Sequence, residues 1–338
     1  MTSESGQNIA VVVIGRNEGE RLKSCLRSVL QCATRVVYVD SGSVDGSPEY
    51  AASVGCRVVL LDPVQPFSAA RARNEGFAAA VERWPNVGLI QFLDGDCDLM
   101  PEWLEQGADA LKERGDVGIV CGNVREVHPE ASIYNRLCDL EWQHVPGDIL
   151  TSGGRFLIRT EIFQATGGFR ADVIAAEDDE FCIRVRRRGW KILKLDAEMA
   201  LHDAAMMHFS QWWCRSRRTG HAYAQVAALH GKNEERYFVH DCRKIWFWAL
   251  WLPLAALCLA PFTRGISLAV LLFAYVLQFA RIYKYGRGQG WQRGDALVYS
   301  LFTVIFKFPA LLGLLEYHWR QGRGDDLKII EYKGSGPR

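Results

Sequence analysis

The chain of 338 residues has almost no surplus of either charge, since 40 Lys and Arg face 39 Asp and Glu. It therefore lacks the global basic field that would favour nucleic acid as a partner. Its ten cysteines include no Cys-x-x-Cys pair and no Cys/His cluster at zinc spacing, which argues against a zinc module. No secretory signal precedes the first apolar strand, so we expect reduced, cytosolic thiols that mostly pack in the core.

Charged residues are also missing from two runs near the C-terminus, 245–263 with 19 residues and 265–280 with 16. A spanning helix needs roughly 20 apolar residues, with about 17 tolerated, so the second run is marginal alone. It fits the second helix of a helical hairpin whose turn is formed by residues 261–265. Tryptophans beside Arg243 and Lys244 favour a membrane interface over a buried helical pair in a soluble protein.

A third apolar segment, 296–315, is interrupted by Lys307 and Pro309 and could either span the bilayer or lie in its interface. The flank before it is basic, which predicts a cytoplasmic location by the positive-inside rule. The tail is basic as well, which argues against a third full crossing; these residues are Arg320, Arg323, Lys328, Lys333 and Arg338. We expect a multi-pass protein of the inner (plasma) membrane with two crossings and an interfacial or re-entrant third segment.

The first two hundred residues alternate between strand and helix patterns. Strands are predicted at 9–14, 35–39, 57–61, 87–93 and 117–120, and helices at 22–30, from about 48, at 67–84 and at 101–114. This alternation predicts an α/β domain with a mostly parallel sheet covered on both faces. No G-x-G-x-x-G follows the first strand, which argues against a dehydrogenase-type dinucleotide fold.

Polar residues follow three of these strands, at 16–18, 40–43 and 94–96. Ligands of parallel sheets bind beyond the carboxyl ends of the strands, so these residues are expected on one edge. The most informative of them is the Asp-x-Asp of Asp94 and Asp96, because hard carboxylate oxygens suit Mg²⁺ or Mn²⁺ together with phosphate. The implied ligand is a metal-bound diphosphate, although Asp-x-Asp alone also occurs in turns and caps.

Five motifs in this order resemble those of the family 2 glycosyltransferases, over roughly residues 8–205. They are Gly15-Arg16-Asn17-Glu18, 40–47 (DSGSVDGS), 70–77 (ARARNEGF), Leu93-Asp94-Gly95-Asp96 and 176–181 (AEDDEF). The chain departs from the family at Gly15-Arg16, where a Pro often precedes the Asn-Glu pair, and at Cys97, where a second Asp often follows. The resemblance implies a GT-A nucleotide-diphospho-sugar transferase fold followed by C-terminal transmembrane helices, and a UDP- or GDP-sugar donor.

The resemblance also implies roles for residues near the donor. Glu18 and Asp40 would accept hydrogen bonds from base and ribose, Asp94 would bind ribose, and Arg16 and Gly153 would lie beside the nucleotide-sugar. Arg71 and Arg73 could reach the nucleotide or its phosphates; because they are two residues apart on a helix, at most one is expected to do so, and the family pattern favours Arg71. One of Arg215 and Arg218 would close over the diphosphate, and Arg218 is our choice.

The resemblance also implies which residues bind the metal and which one is the catalytic base. Asp96 would bind the ion directly, with His202 as a second ligand and His208 as the rival position. Asp178 would be the catalytic base, with Asp179 and Glu180 as alternatives, because inversion needs a carboxylate opposite the leaving diphosphate. The chain lacks Gln-x-x-Arg-Trp near residue 211, which argues against a processive polymer synthase.

We therefore predict a Mn²⁺- or Mg²⁺-dependent inverting glycosyltransferase whose catalytic domain is cytoplasmic. Its acceptor would be a lipid-linked molecule or glycan in cell-surface polysaccharide or glycolipid synthesis. The expected division is a transferase domain at 1–225, an interfacial linker at 226–243, and anchoring helices with a basic tail at 244–338. Two alternatives are a non-catalytic scaffold, against which the intact Asp96, Asp178 and His202 argue, and a sugar-nucleotide nucleotidyltransferase, faintly suggested by Gly19-Glu20-Arg21-Leu22.

Overall fold

A computed structural model describes residues 8–143 and 145–323. The chain divides into two compact units, and each is discontinuous in sequence. The first reaches to His128 and resumes over Cys138–Ala205; the second combines Pro129–Leu137 with the chain from Met206 onward. Three residues of the predicted basic tail, Lys328, Lys333 and Arg338, lie outside the described residues. The domain boundary predicted at residue 225 stays a prediction.

The first unit alternates strands and helices as predicted. Its strands are β1 (Ile9–Gly15), β2 (Val36–Asp40), β3 (Arg57–Leu60), β4 (Leu89–Asp94), β5 (Cys97–Leu99), β6 (Val117–Glu126), β7 (Gly147–Ile149), β8 (Phe156–Arg159) and β9 (Lys191–His202). The helices up to residue 186 are α1 (Glu20–Cys32), α2 (Ser47–Ser53), α3 (Ala69–Arg83), α4 (Trp103–Glu113), α5 (Ile133–Trp142), α6 (Thr160–Thr166) and α7 (Glu177–Arg186). Of these, α5 begins in the second unit and ends in the first.

The strands form one sheet in the order β3-β2-β1-β4-β8-β6-β9-β5, with β7 paired to β9. The four N-terminal strands pair in parallel, which confirms that part of the prediction. Antiparallel β8 joins β4 to β6, and β5 runs antiparallel to β9. The prediction ended β6 at residue 120, whereas this strand continues to Glu126 through irregular pairing with β9.

The sheet is held by apolar residues on both of its faces. Every residue of 9–14 is buried, and α1 contributes Leu22, Cys25, Leu26 and Val29 at helical spacing. Helix α3 approaches the sheet closely at Gly76, where a Cβ would lie 2.3 Å from Cγ1 of Val12. A larger side chain there would push α3 away from the strand ends, so this glycine sets the position of the helix on the sheet.

The second unit is mainly helical over its described residues from 209 to 323. Its elements are α8 (Phe209–His230), α9 (Val239–Trp246), a π-helical turn (Phe247–Trp251), α10 (Leu252–Leu259), α11 (Ile266–Gly288), α12 (Arg293–Ile305) and α13 (Lys307–Arg323). Among the described residues, three helical runs are long and apolar enough to cross a membrane: Val239–Leu259, Ile266–Gly288 and Arg293–Arg323. The predicted turn at 261–265 lies between the first two, and whether the third spans stays a prediction.

Helices α8 and α13 cross very closely at two glycines. A Cβ on Gly313 would lie 1.9 Å from the carbonyl oxygen of Arg217, and one on Gly220 would lie 2.0 Å from the carbonyl oxygen of Ala310. Beside this crossing the Arg217 guanidinium donates to Glu316 at 2.5 and 2.9 Å. Elsewhere in the unit, Arg136 of the 129–137 segment makes a two-pronged ion pair with Asp295, at 2.5 and 2.9 Å.

Candidate active site

The ends of three neighbouring strands bring the predicted donor residues to one sheet edge. Gly15 is level with Asp40 in the β1–β2 pair, and Ile14 is level with Asp94 in the β1–β4 pair. The three polar segments therefore lie side by side, as expected for carboxyl ends of parallel strands. Arg16, which follows β1, is exposed and lies with its guanidinium 5.5 Å from the ring centre of Phe67.

The carboxylate of Asp40 is largely engaged within the protein. It is buried, and one oxygen accepts hydrogen bonds from the backbone N–H groups of Gly42 and Ser43, at 2.9 and 2.8 Å. The other oxygen accepts from the hydroxyl of Tyr38 at 2.9 Å. Asp40 thus shapes the loop after β2. Glu18 likewise has a local partner, the guanidinium of Arg21 at 2.7 Å.

Of the two arginines on α3, it is Arg73 that reaches the site carboxylates. Its guanidinium is buried and donates to Asp94 at 2.9 Å and to Glu177 at 2.7 Å. The guanidinium of Arg71 instead donates to Glu75 and to the carbonyl oxygens of Asp62 and Gln65.

The expectation that only one of the two arginines points toward the site agrees with this geometry, in which Arg73 rather than Arg71 contacts the site carboxylates. The sequence held a signal for the other choice. Arg73 lies on the helical stripe of Ala70, Gly76, Phe77 and Ala80, all of which are buried against the sheet. Arg71 lies off that stripe and is free to bond to the preceding loop. The role of Arg71 as a nucleotide ligand stays a prediction, with this geometry against it.

A metal-compatible group forms where β5 pairs with β9. The register sets Cys97 opposite His202, and Nε2 of His202 lies 3.1 Å from a carboxylate oxygen of Asp96. Asp96, Cys97 and His202 each offer one ligand atom, and these three atoms lie within 4.8 Å of one another. All three residues are buried. Oxygen, nitrogen and sulfur donors at this spacing fit a divalent ion. The rival His208 is the N-cap of α8, in the second unit.

Two residues that the motif comparison missed adjoin this group. The ring of Trp142 lies 4.5 Å from that of His202, centre to centre, and so limits its orientation. The guanidinium of Arg155 lies 5.4 Å from the Trp142 ring centre. It also lies 4.0 Å from Asp94 and 3.7 Å from the sulfur of Cys97. Asp94 is therefore flanked by two arginines, Arg73 and Arg155.

Helix α7 presents four consecutive carboxylates in its first turn. Burial, reinforced by Asp179 and Glu177 and opposed by Arg73, raises the pKa of the Asp178 carboxyl to about 7. Of the two alternatives, Glu180 is fully buried and held by Arg184 at 2.7 to 3.0 Å. The raised pKa of Asp178 suits a general base at neutral pH, and Asp179 stays an alternative.

The backbone beside Asp178 is open to a ligand. Gly153 has a φ of +69°, in the left-handed region, and a Cβ built on it would lie 4.0 Å from a carboxylate oxygen of Asp178. A side chain there would be strained and would fill space beside the base. The remaining predicted residue, Arg218, lies on α8 in the second unit.

Residues 10–174 match the model of the family described as Glycosyl transferase family 2. The chain contains a family 2 glycosyltransferase domain. Glycosyltransferase AglE of Haloferax volcanii is 25% identical over 244 residues, which cover 68% of this chain and 77% of AglE. This membership favours sugar transfer over the nucleotidyltransferase alternative.

Solved structures show the same GT-A fold. The mannosyltransferase PcManGT from Pyrobaculum calidifontis, solved with GDP-Man and Mn²⁺, superimposes with a TM-score of 0.60 at 17% identity, covering 93% of this glycosyltransferase and 88% of PcManGT. Residues 1–349 of TarS from S. aureus superimpose with a TM-score of 0.50 at 15% identity, covering 98% of both chains. At these identities the likeness concerns the fold, so the ligands of this chain have to be argued from its own residues.

Proposed function

We propose that this glycosyltransferase moves a sugar, with inversion, from a UDP- or GDP-sugar to a lipid-linked acceptor, and that it requires Mn²⁺ or Mg²⁺. The observation that carries the proposal is that two sets of side chains lie at the same edge of the sheet. One is the buried Asp96–His202 pair, which fits a divalent ion. The other is Asp178, a carboxyl whose pKa is raised to about 7. The two groups are connected through Arg73, which bonds both to Asp94 and to Glu177.

Asp96 and His202 are the residues that would hold the ion. When bound, a divalent ion supplies positive charge to the diphosphate oxygens as the sugar–phosphate bond breaks. PcManGT, of the same fold, was solved with Mn²⁺ and a nucleotide-sugar, which supports this choice of cofactor and donor. The positive charge of Arg73 offsets the negative charges of Asp94 and Glu177. A negatively charged diphosphate can therefore bind near these carboxylates.

Asp178 accepts the proton of the acceptor hydroxyl as the new glycosidic bond forms. A base with a pKa near the working pH combines a substantial ionised fraction with enough basicity to remove that proton. The open backbone at Gly153 gives the donor sugar room beside the carboxylate. Glu18, Arg16 and Asp40, together with the loop that Asp40 holds in shape, would form the nucleotide side of the site.

The three apolar helices support membrane attachment and hence a lipid-linked acceptor. Extracting a long prenyl or acyl chain into water is costly, and a transferase attached to the membrane avoids that cost. The basic residues between the second and third apolar segments support a cytoplasmic location for that flank, and we propose that the catalytic domain lies on the same side of the inner membrane. Within this proposal the domain division remains 1–225, 226–243 and 244–338, and the pathway is cell-surface polysaccharide or glycolipid synthesis.

The test is release of nucleoside diphosphate from UDP- and GDP-sugars by detergent-solubilised full-length protein with Mn²⁺. We expect one donor to be turned over slowly without acceptor, and EDTA, Asp96→Asn and His202→Ala each to abolish turnover. Asp178→Asn should still bind donor and metal in calorimetry but lose transfer to acceptor. Asp172→Asn, a change at an exposed ion pair, is the matched control and should be unaffected.

The result that contradicts the proposal is a protein that neither turns over nor binds any donor in the presence of metal. That outcome would favour the non-catalytic scaffold. Turnover that is unchanged by EDTA and by Asp96→Asn would keep the transferase but remove its metal.

A further inference from the structure

Cys97 occupies a position that ordinary core packing does not explain. It is fully buried, directly follows Asp96 and is level with His202 across the β5–β9 pair. Its sulfur lies 3.6 Å from a carboxylate oxygen of Asp96 and 3.7 Å from a guanidinium nitrogen of Arg155. The sulfur is therefore surrounded by charged groups, whereas a thiol that only fills space would be served by apolar neighbours.

Burial and, after it, the Asp96 carboxylate raise the pKa of this thiol well above its usual range, and the Arg155 guanidinium opposes them. The Arg155 N–H donates toward it, and such a donor stabilises charge on sulfur as it does on oxygen. The Asp96 carboxylate works in the opposite direction while no cation is present. A divalent ion between the two would turn this repulsion into joint coordination, and a thiol that coordinates a metal is deprotonated outright.

We propose that Cys97 is the third protein ligand of the metal, so that the ion is held by oxygen, nitrogen and sulfur from Asp96, His202 and Cys97. The inference rests on the proposed metal-dependent function. On binding, the metal–sulfur bond forms, the S–H bond breaks and its proton leaves to solvent. Because thiolate is a soft ligand, the site prefers thiophilic ions such as Co²⁺, Zn²⁺ and Cd²⁺ over Mg²⁺ more strongly than an all-oxygen and nitrogen site would.

The experiment is a Co²⁺ titration of metal-free full-length protein in detergent, followed by absorption spectroscopy without any substrate. Cobalt bound to thiolate gives an intense sulfur-to-metal charge-transfer band in the near ultraviolet, and all protein-bound Co²⁺ gives weak visible ligand-field bands. We expect both in the wild type. Cys97→Ser should lose the charge-transfer band, keep the visible bands, and bind Co²⁺ and Zn²⁺ about tenfold or more weakly, with Mg²⁺ binding changed much less.

Cys56→Ser is the matched control, since Cys56 is another buried free cysteine, and it should keep the charge-transfer band. Cys97→Ala provides a second variant should the serine disturb folding, which near-ultraviolet circular dichroism checks. Visible bands without a charge-transfer band in the wild type would overturn the role of Cys97 but leave the metal-dependent function standing. A charge-transfer band that survives in Cys97→Ser would do the same. No Co²⁺ binding by either signal would overturn the metal-dependent function as well.

Discussion

Replacing Asp178 by Asn should stabilise the protein while it destroys transfer. The side chain is half-buried beside two other acidic residues, and the pKa of its carboxyl is raised from 3.8 to about 7. Ionising it in the folded state therefore costs about 4 kcal/mol more than in the unfolded chain. The amide keeps the shape of the side chain and removes the charge, so the variant escapes this cost.

The gain in stability should depend on pH in a defined direction. Below the unfolded pKa of 3.8 the carboxyl is protonated in both states, and the substitution changes little. Between pH 4 and 7 the unfolded chain ionises while the folded protein stays protonated, so wild-type stability falls relative to the variant. Above about pH 7 the full cost applies, and the difference reaches its plateau.

Melting temperatures of wild type and Asp178→Asn at pH 5 and pH 8, followed by tryptophan fluorescence, measure this difference. A domain of this size shifts by about 2–4 °C per kcal/mol, so the melting temperature at pH 8 should rise by at most about 16 °C. Asp172→Asn is the control of opposite sign, because Arg170 lowers the pKa of Asp172 and its loss should destabilise slightly. Equal melting temperatures at pH 8, or a gain of the same size at both pH values, would refute the reasoning.

Three further outcomes are expected. Arg73→Met leaves the buried carboxylate of Glu177 and the half-buried carboxylate of Asp94 without their shared cation and should cost about 3 kcal/mol of unfolding free energy, against a smaller loss for Arg71→Met, both measured by denaturant titration. Gly313→Ala places a Cβ 1.9 Å from a carbonyl oxygen of α8 and should cost about 1–3 kcal/mol, whereas Gly294→Ala, with no atom within 4 Å, should be neutral in the same melting assay. The transfer rate should rise with pH and level off above about 7 as Asp178 ionises; a flat profile from pH 5 to 8 would argue against that base.

Much of the first unit could be predicted from its sequence because the signals are local. The buried strands end in polar residues, and parallel pairing then brings those ends together, as the registers of Asp40 and Asp94 with β1 show. The pairing of β5 with β9 could not be foreseen in this way. It joins Cys97 to His202 across 105 residues, and nothing in the three residues of β5 specifies that partner.

The choice between Arg71 and Arg73 shows a second limit. A motif fixes which residue types are present, but the side chain that enters the site depends on where the helix begins and which face it turns to the sheet. Helix α3 begins at Ala69 after the Ser68 cap, and Gly76 brings it against Val12. Arg73 then lies on the packed face. The buried helical stripe favours Arg73, whereas the family pattern favours Arg71, and the sequence alone does not decide between them.

The discontinuous second unit has a consequence for the order in which the protein assembles. The segment 129–137 leaves the ribosome before three of its contacts can form: Ser132 and Asn135 bond to the backbone of Met206, and Arg136 pairs with Asp295. The segment has to wait for about 160 further residues, including both helices of the hairpin, before its ion pair can form. No single cut in the chain separates the two units, and a soluble fragment that ends at residue 225 would retain Arg136 without its carboxylate.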